Sequence, residues 1–282
     1  MSNISFAAIR YFMVPEYGVF LQIKPDEEKR QALINALLTK NQDYKTSKGI
    51  CVSLFQLGKE DNVHFGKFGR KMLVKNHKKT ENDILEAQVE DWPFLYYAFD
   101  VKKQLIVIEY RTSFDMSLER ICHTFEDIAA TELSLIGYRL SLEIMPERGS
   151  FWDVIETASK VYSIKFELNS PNLFGGTLKT NDLLKGLTEV FHNTKTGFEI
   201  KNQKGNLSVP RDELQDMVDY AERGGGNWEI KTKEPRRRRP KRHKSSDKVK
   251  RISFEEPLKP VPDKNEFLKQ RSKEALNSMR DV

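Results

Sequence analysis

Short runs of alternating apolar and polar residues, interrupted by stretches of helical spacing, set the predicted elements of this chain. Phe6 to Val14 and Tyr17 to Lys24 are β-rich runs split by Pro15-Glu16, which predicts two strands joined by a turn. Pro25-Asp26-Glu27-Glu28 then opens a helix with Leu33, Ile34, Leu37 and Leu38 on one face, and its acids suit the positive end of the helix dipole. Ile50 to Leu57 and Val63 to Val74 return to strand character around a connection at Gly58 to Asn62, so the first stretch reads ββαββ. Phe94 to Val101 and Gln104 to Tyr110 predict a hairpin turning at Lys102-Lys103. Ser113 or Asp115 is placed to cap a helix from Met116 to Leu135, where Leu118, Ile121, Cys122, Phe125, Ile128 and Ala129 fall at helical spacing.

A strand at Tyr138 to Met145, a helix at Phe151 to Ser159 and a strand at Tyr162 to Leu168 follow, with Pro171-Asn172 and Gly175-Gly176 marking a loop. Helices at Asp182 to Phe191 and Arg211 to Arg223 come next, with strands at Phe198 to Lys201, Leu207 to Val209 and Trp228 to Lys231. Hairpins outnumber βαβ crossovers in this order, which predicts an α+β fold with mixed or antiparallel sheets and packed helices. The organisation reads as an α+β subdomain over residues 1–91, a second over 92–233, and a basic, largely disordered tail over 234–282. Within that tail only Asn265 to Met279 has a helical pattern, and a tail of this kind is dispensable for folding.

Composition adds a soluble character: of 282 residues 38% are hydrophobic and 31% charged, and no apolar run approaches the roughly 18 to 20 residues that span a bilayer. The N-terminus lacks the pattern of an export signal, so the expected location is the cytoplasm, without membrane insertion. Cys51 and Cys122 are too few for a disulfide framework and read as reduced core residues. The formal charge is +6, but it is not spread evenly. Lys231 to Arg251 holds 12 Lys or Arg against 2 acids, Ile252 to Val282 balances, and the first 230 residues therefore carry −4. Asn62 to Thr80 is a second basic island, with six Lys or Arg and no acid.

These islands carry the functional expectation. His64-Phe65-Gly66-Lys67-Phe68-Gly69-Arg70-Lys71 interleaves aromatics, glycines and cations, which suits phosphate contact with stacking or wedge insertion; the competing reading is a lysine-protected strand edge. Lys67, Arg70, Lys71, Lys75, Lys78 and Lys79 are the candidates there, and Arg236, Arg237, Arg238, Arg239, Lys241 and Arg242 form a denser phosphate-binding arm. The expected partner is nucleic acid, double-stranded DNA first, with no cofactor and no metal. A metal-dependent nuclease is the alternative, using the Glu-x-Lys steps Glu199-Ile200-Lys201 and Glu229-Ile230-Lys231, though alternating charge is also what a half-exposed strand requires. An interaction module whose basic tail meets an acidic partner is the third reading. Cys122 and His123, adjacent on a helix, diverge by about 100° and make no catalytic pair. Gly224-Gly225-Gly226-Asn227-Trp228 reads first as a left-handed helix cap and tight turn with Trp228 anchoring a strand, and second as an anion nest.

From Trp92 to Asn172 the order of features is a Trp-Pro-Phe start, a hairpin ending Ile-Val-Ile-Glu-Tyr-Arg, a strand running into Glu143-Ile144-Met145-Pro146, and a strand ending near Asn169-Ser170-Pro171-Asn172. This layout resembles that of the bacterial and prophage-encoded phage-defence proteins of the RexA phage-exclusion type. The resemblance implies an α+β, dimeric DNA-binding or sensor protein of anti-phage defence, acting with a partner protein encoded nearby. It transfers no catalytic residue.

Overall fold

The computed structural model describes residues 3–16, 24–170, 179–235, 237–256 and 262–280. In chain order its elements are β1 (Asn3–Pro15), α1 (Asp26–Leu37), β2 (Gln42–Lys45), β3 (Cys51–Glu60), β4 (Val63–Arg70), β5 (Met72–Lys79), β6 (Ile84–Asp91), β7 (Phe94–Asp100) and β8 (Leu105–Glu109). Then come α2 (Leu118–Ser134), β9 (Tyr138–Ile144), α3 (Ser150–Thr157), β10 (Lys160–Asn169), α4 (Lys179–Phe191), β11 (Lys195–Lys201), α5 (Arg211–Tyr220), β12 (Gly226–Lys233), β13 (Lys241–Lys244), β14 (Arg251–Glu255) and α6 (Lys264–Arg280). The fold is α+β, and the strand ladders are antiparallel.

The larger sheet is assembled on β1, whose near-continuous apolar sequence is buried on both faces. Ala7, Ile9, Tyr11 and Met13 point to a core closed by α1 and α2, whereas Phe6 and Ala8 point to a second core closed by α6. The strand order is β14-β1-β8-β7-β4-β3-β2. On its other edge β1 is shared: β14 pairs with Asn3 to Ala7, and β9 pairs with Ile9 to Pro15. The boundary predicted between residues 91 and 92 falls within this sheet, since β4 pairs with β7 across it.

A smaller four-stranded sheet has the order β11-β10-β12-β13. Phe166, Ile164, Trp228 and Ile230 line one face and pack on Phe151 of α3, Leu184 of α4 and Val218 of α5. The turn into β12 needs its glycines. Gly224 has φ +84°, and a Cβ on Gly226 would lie 2.2 Å from the backbone oxygen of Glu167. The cap-and-turn reading of Gly224 to Trp228 therefore describes the structure, and Trp228 is 2% exposed.

The basic stretch needs correction. The tail predicted from residue 234 carries β13, which pairs with β12, and β14, which pairs with β1, before α6 covers the larger sheet. The physical reason lies in Arg251-Ile252-Ser253-Phe254-Glu255, a half-buried alternation that the charged average of the region conceals. The strand predicted over Val63 to Val74 also breaks at Lys71 into β4 and β5, and β5 pairs only with β6 as a separate two-stranded ribbon. Leu207 to Val209 is not a strand; its neighbour Asn206 makes a single bridge to Val161. The helix predicted from Met116 begins at Leu118, with the Ser117 hydroxyl accepting from the Arg120 amide as its cap. Among the described residues no helix is long and apolar enough to cross a membrane.

Candidate nucleic-acid interface

The smaller sheet covers one face with helices and leaves the other open, and strand register decides what that open face carries. One row across the four strands is Lys201, Ser163, Lys231 and Arg242; the next is Glu199, Lys165, Glu229 and Lys244. Gly197, Glu167 and Asn227 form a third, followed by Lys195 beside Asn169. Six bases thus stand against three acids, and the first row holds three bases and no acid. With strands about 4.8 Å apart, that row extends about 14 Å. Beyond it the chain turns through Arg237, Arg238 and Arg239, all exposed, before β13 begins at Lys241.

The bases of this face are held lightly. Lys201 meets Glu199 at 2.9 Å and Arg242 meets Glu229 at 3.3 Å, with the Lys201 and Arg242 side chains more than half exposed. Exposed pairs of this kind contribute about 0–1 kcal/mol, so a phosphate can displace the carboxylate. Lys165 donates to Glu167 at 2.5 Å, which raises the ammonium above its ordinary range and holds the Glu167 carboxyl below its own. The Lys231 ammonium lies 5.9 Å from the centroid of the Tyr162 ring, beside the bulge between Val161 and Ser163. His243 faces the apolar side, in the row of Ile230, and burial followed by Lys241 pushes its pKa down, so it is neutral at pH 7.

At the end of this face a cleft of about 460 Å³ separates the two sheets. Its floor is Glu143 of β9, which is buried and accepts hydrogen bonds from Asn169 at 3.0 Å and Lys195 at 2.9 Å, and a longer one from Asn227 at 3.4 Å. A buried carboxylate is tolerable only with such donors, so Glu143 ties the larger sheet to the smaller. The other edge of β9 is partly closed by Glu126, which accepts the Leu142 amide at 2.7 Å.

Comparison with known families places the chain. A family described as a domain of unknown function (DUF4747) matches residues 21–258. The chain belongs to this family. No curated protein matches it, and no solved structure does. In this DUF4747 chain the matched span takes in the smaller sheet and the larger sheet apart from β1, and stops before α6.

The predicted site residues divide between two places. Glu199, Lys201, Glu229, Lys231 and Arg242 come together on the open face, with Arg237, Arg238, Arg239 and Lys241 next to it. Arg236 lies outside the described residues, as do the loop residues Pro171, Asn172, Gly175 and Gly176, and the predicted strand at 17–24 except for its last residue. Lys67, Arg70, Lys71, Lys75, Lys78 and Lys79 belong instead to β4 and the ribbon. β4 is interior, between β3 and β7, so His64, Phe65, Gly66 and Phe68 are buried and none is placed for stacking. Lys67 sits over the rings of Phe94 at 4.5 Å and Tyr96 at 5.1 Å, while Arg70 pairs with Asp115 at 3.1 Å. Lys71 pairs with Glu90, and Lys75 with Glu86 at 2.6 Å; Lys78 and Lys79 are exposed.

For the nuclease alternative, Glu199 and Glu229 flank Lys165 on neighbouring strands, and each is paired with a base. Among the described residues no group of three metal-ligating side chains occurs. Cys122 is buried and His123 is exposed on the same helix turn. Sequence reading missed Lys165 and Lys195. Their signal was the period-two exposed set within Lys165-Phe166-Glu167 and its cross-strand partners, which register alone aligns.

Proposed function

We propose that this protein binds nucleic acid, double-stranded DNA first, through the open face of the smaller sheet and the adjoining Arg237 to Lys241 turn. The observation that supports this reading is the acid-free row of Lys201, Lys231 and Arg242 with Ser163, running into consecutive exposed arginines. Such a row meets a phosphate backbone by counterion release and needs no base-specific contact. A cytoplasmic location fits a DNA ligand, and a role in anti-phage defence rests on the resemblance to phage-exclusion proteins.

The experiment is fluorescence anisotropy of a labelled duplex across a salt series. Replacing Lys201, Lys231 and Arg242 together with Gln should weaken binding and lower the log–log salt slope by up to about 2.7, at roughly 0.9 per contact. These side chains lie outside the apolar cores, so the melting curve should keep its midpoint. An unchanged affinity and slope in the triple variant would refute the interface.

A further inference from the structure

The β5–β6 ribbon is left uncovered by the fold. It forms a sheet of its own, and every residue from Leu73 to Asp91 except Thr80 is exposed. A lone two-stranded ribbon is marginal in water and gains stability when a third layer covers it. Cross-strand register sorts its side chains into two unlike faces. Leu73, Lys75, His77 and Lys79 share one face with Ile84, Glu86, Gln88 and Glu90, and its charges are tied together by the Lys75–Glu86 pair. The opposite face carries Met72, Val74, Leu85, Ala87 and Val89, with Asn76 between them. On that face Leu85 is 51% exposed, Val89 43% and Val74 37%. Only two charges interrupt it: Lys78 at the tip and Asp91 at the base. Neither has an ion-pair partner among the described residues.

Nucleic acid does not fit this face. From Lys71 to Asp91 four lysines face five acids, and the turn itself holds Glu81 and Asp83. A second copy of the same chain does fit. When two ribbons stack face to face and antiparallel about a twofold axis, the base of one lies on the tip of the other, so each Lys78 comes diagonally beside the partner copy's Asp91. The apolar residues then meet the equivalent set along strands about 26 Å long. We propose that the apolar face of the β5–β6 ribbon is the dimerisation surface of this protein, with the two Lys78–Asp91 contacts fixing its antiparallel register. This inference is independent of the nucleic-acid reading.

The test is analytical ultracentrifugation of the full chain over a concentration series, with far-UV circular dichroism as the folding control. The wild-type chain should dimerise in a concentration-dependent way. Val89→Asp places a charge in the apolar face of each copy and should weaken dimerisation at least about tenfold, with the spectrum unchanged. Lys78→Asp should also weaken it, and the double exchange Lys78→Asp with Asp91→Lys should recover most of the loss. A wild-type chain that stays monomeric at hundreds of micromolar overturns the proposal. So does a dimer indifferent to Val89→Asp, an open-ended oligomer, or a double exchange that recovers nothing.

Discussion

Deleting α6 should unfold the larger sheet, although the polar, charged sequence around the helix reads as an expendable tail. Leu268, Ala275, Leu276 and Met279 are each no more than 1% exposed and pack on Phe6, Ala8, Phe65, Tyr96, Ala98 and Val107. A single buried Leu→Ala change removes about 2–5 kcal/mol. Total stabilities of about 5–15 kcal/mol mean that Leu268→Ala and Leu276→Ala together should abolish most of the folded population. The chain ending at residue 256 loses all four side chains and exposes the second core to water. Urea titration followed by circular dichroism measures this directly. With a urea slope of about 2–3 kcal/mol/M, a loss of about 3 kcal/mol in Leu276→Ala lowers the midpoint by about 1 M or more. A 1–256 chain with the wild-type midpoint would show that α6 is not part of the core, and the reasoning would fail.

The α6 clasp also predicts an acid limb. Lys269 and Lys273 both bond Glu60, at 2.5 and 2.6 Å, and hold its carboxyl down to about 2. A depressed carboxyl stabilises the fold above its unfolded value and loses that contribution as the pH falls through its folded value, so the Glu60→Gln chain and the wild type should converge in stability between about pH 4.5 and 2, as thermal melts across that range would reveal. Because the carboxylate is partly exposed, the difference at neutral pH should be modest, within about 1 kcal/mol. Gly226→Ala should destabilise the smaller sheet by more than the few tenths typical of a surface change, because the new Cβ would meet the backbone of β10 and not a flexible side chain. Tryptophan fluorescence, through Trp152 and Trp228 in that core, reads it out; an unshifted unfolding midpoint would count against the close approach.

What the sequence made legible were features decided by neighbours along the chain. The α2 helix follows from its apolar positions at helical spacing, although its cap is Ser117 and not Ser113 or Asp115, and the β7–β8 hairpin follows from two apolar runs around a short turn. Gly224 announces its positive φ by sitting where a helix must stop. Features decided across the chain stayed hidden. The basic island at 62–80 looks unopposed when counted in order, yet Glu86 and Glu90 are set against it by the β5–β6 register, and β6 itself was not predicted because Ile84-Leu85-Glu86-Ala87 has no clean period. The interior position of β4 was masked by its glycines, since Gly66 makes room for the Tyr97 ring and leaves no bulky residue to mark burial. The open face escaped for the same reason: Lys201, Lys231 and Arg242 lie on three strands and become a row only through pairing.

The shared edge of β1 sets the order in which this chain becomes a protein on the ribosome. Strand β1 is made long before Arg251 to Glu255 complete half of its edge, and Phe6 and Ala8 have no cover until α6 follows. All the elements between β1 and β14 are therefore synthesised before β1 is sealed at both faces and both edges. Contacts this distant in sequence slow the search for the native state, and the unsealed strand is a sticky surface throughout that interval. Expression of this chain should accordingly respond to lower temperature and to chaperone supply more strongly than its finished surface suggests.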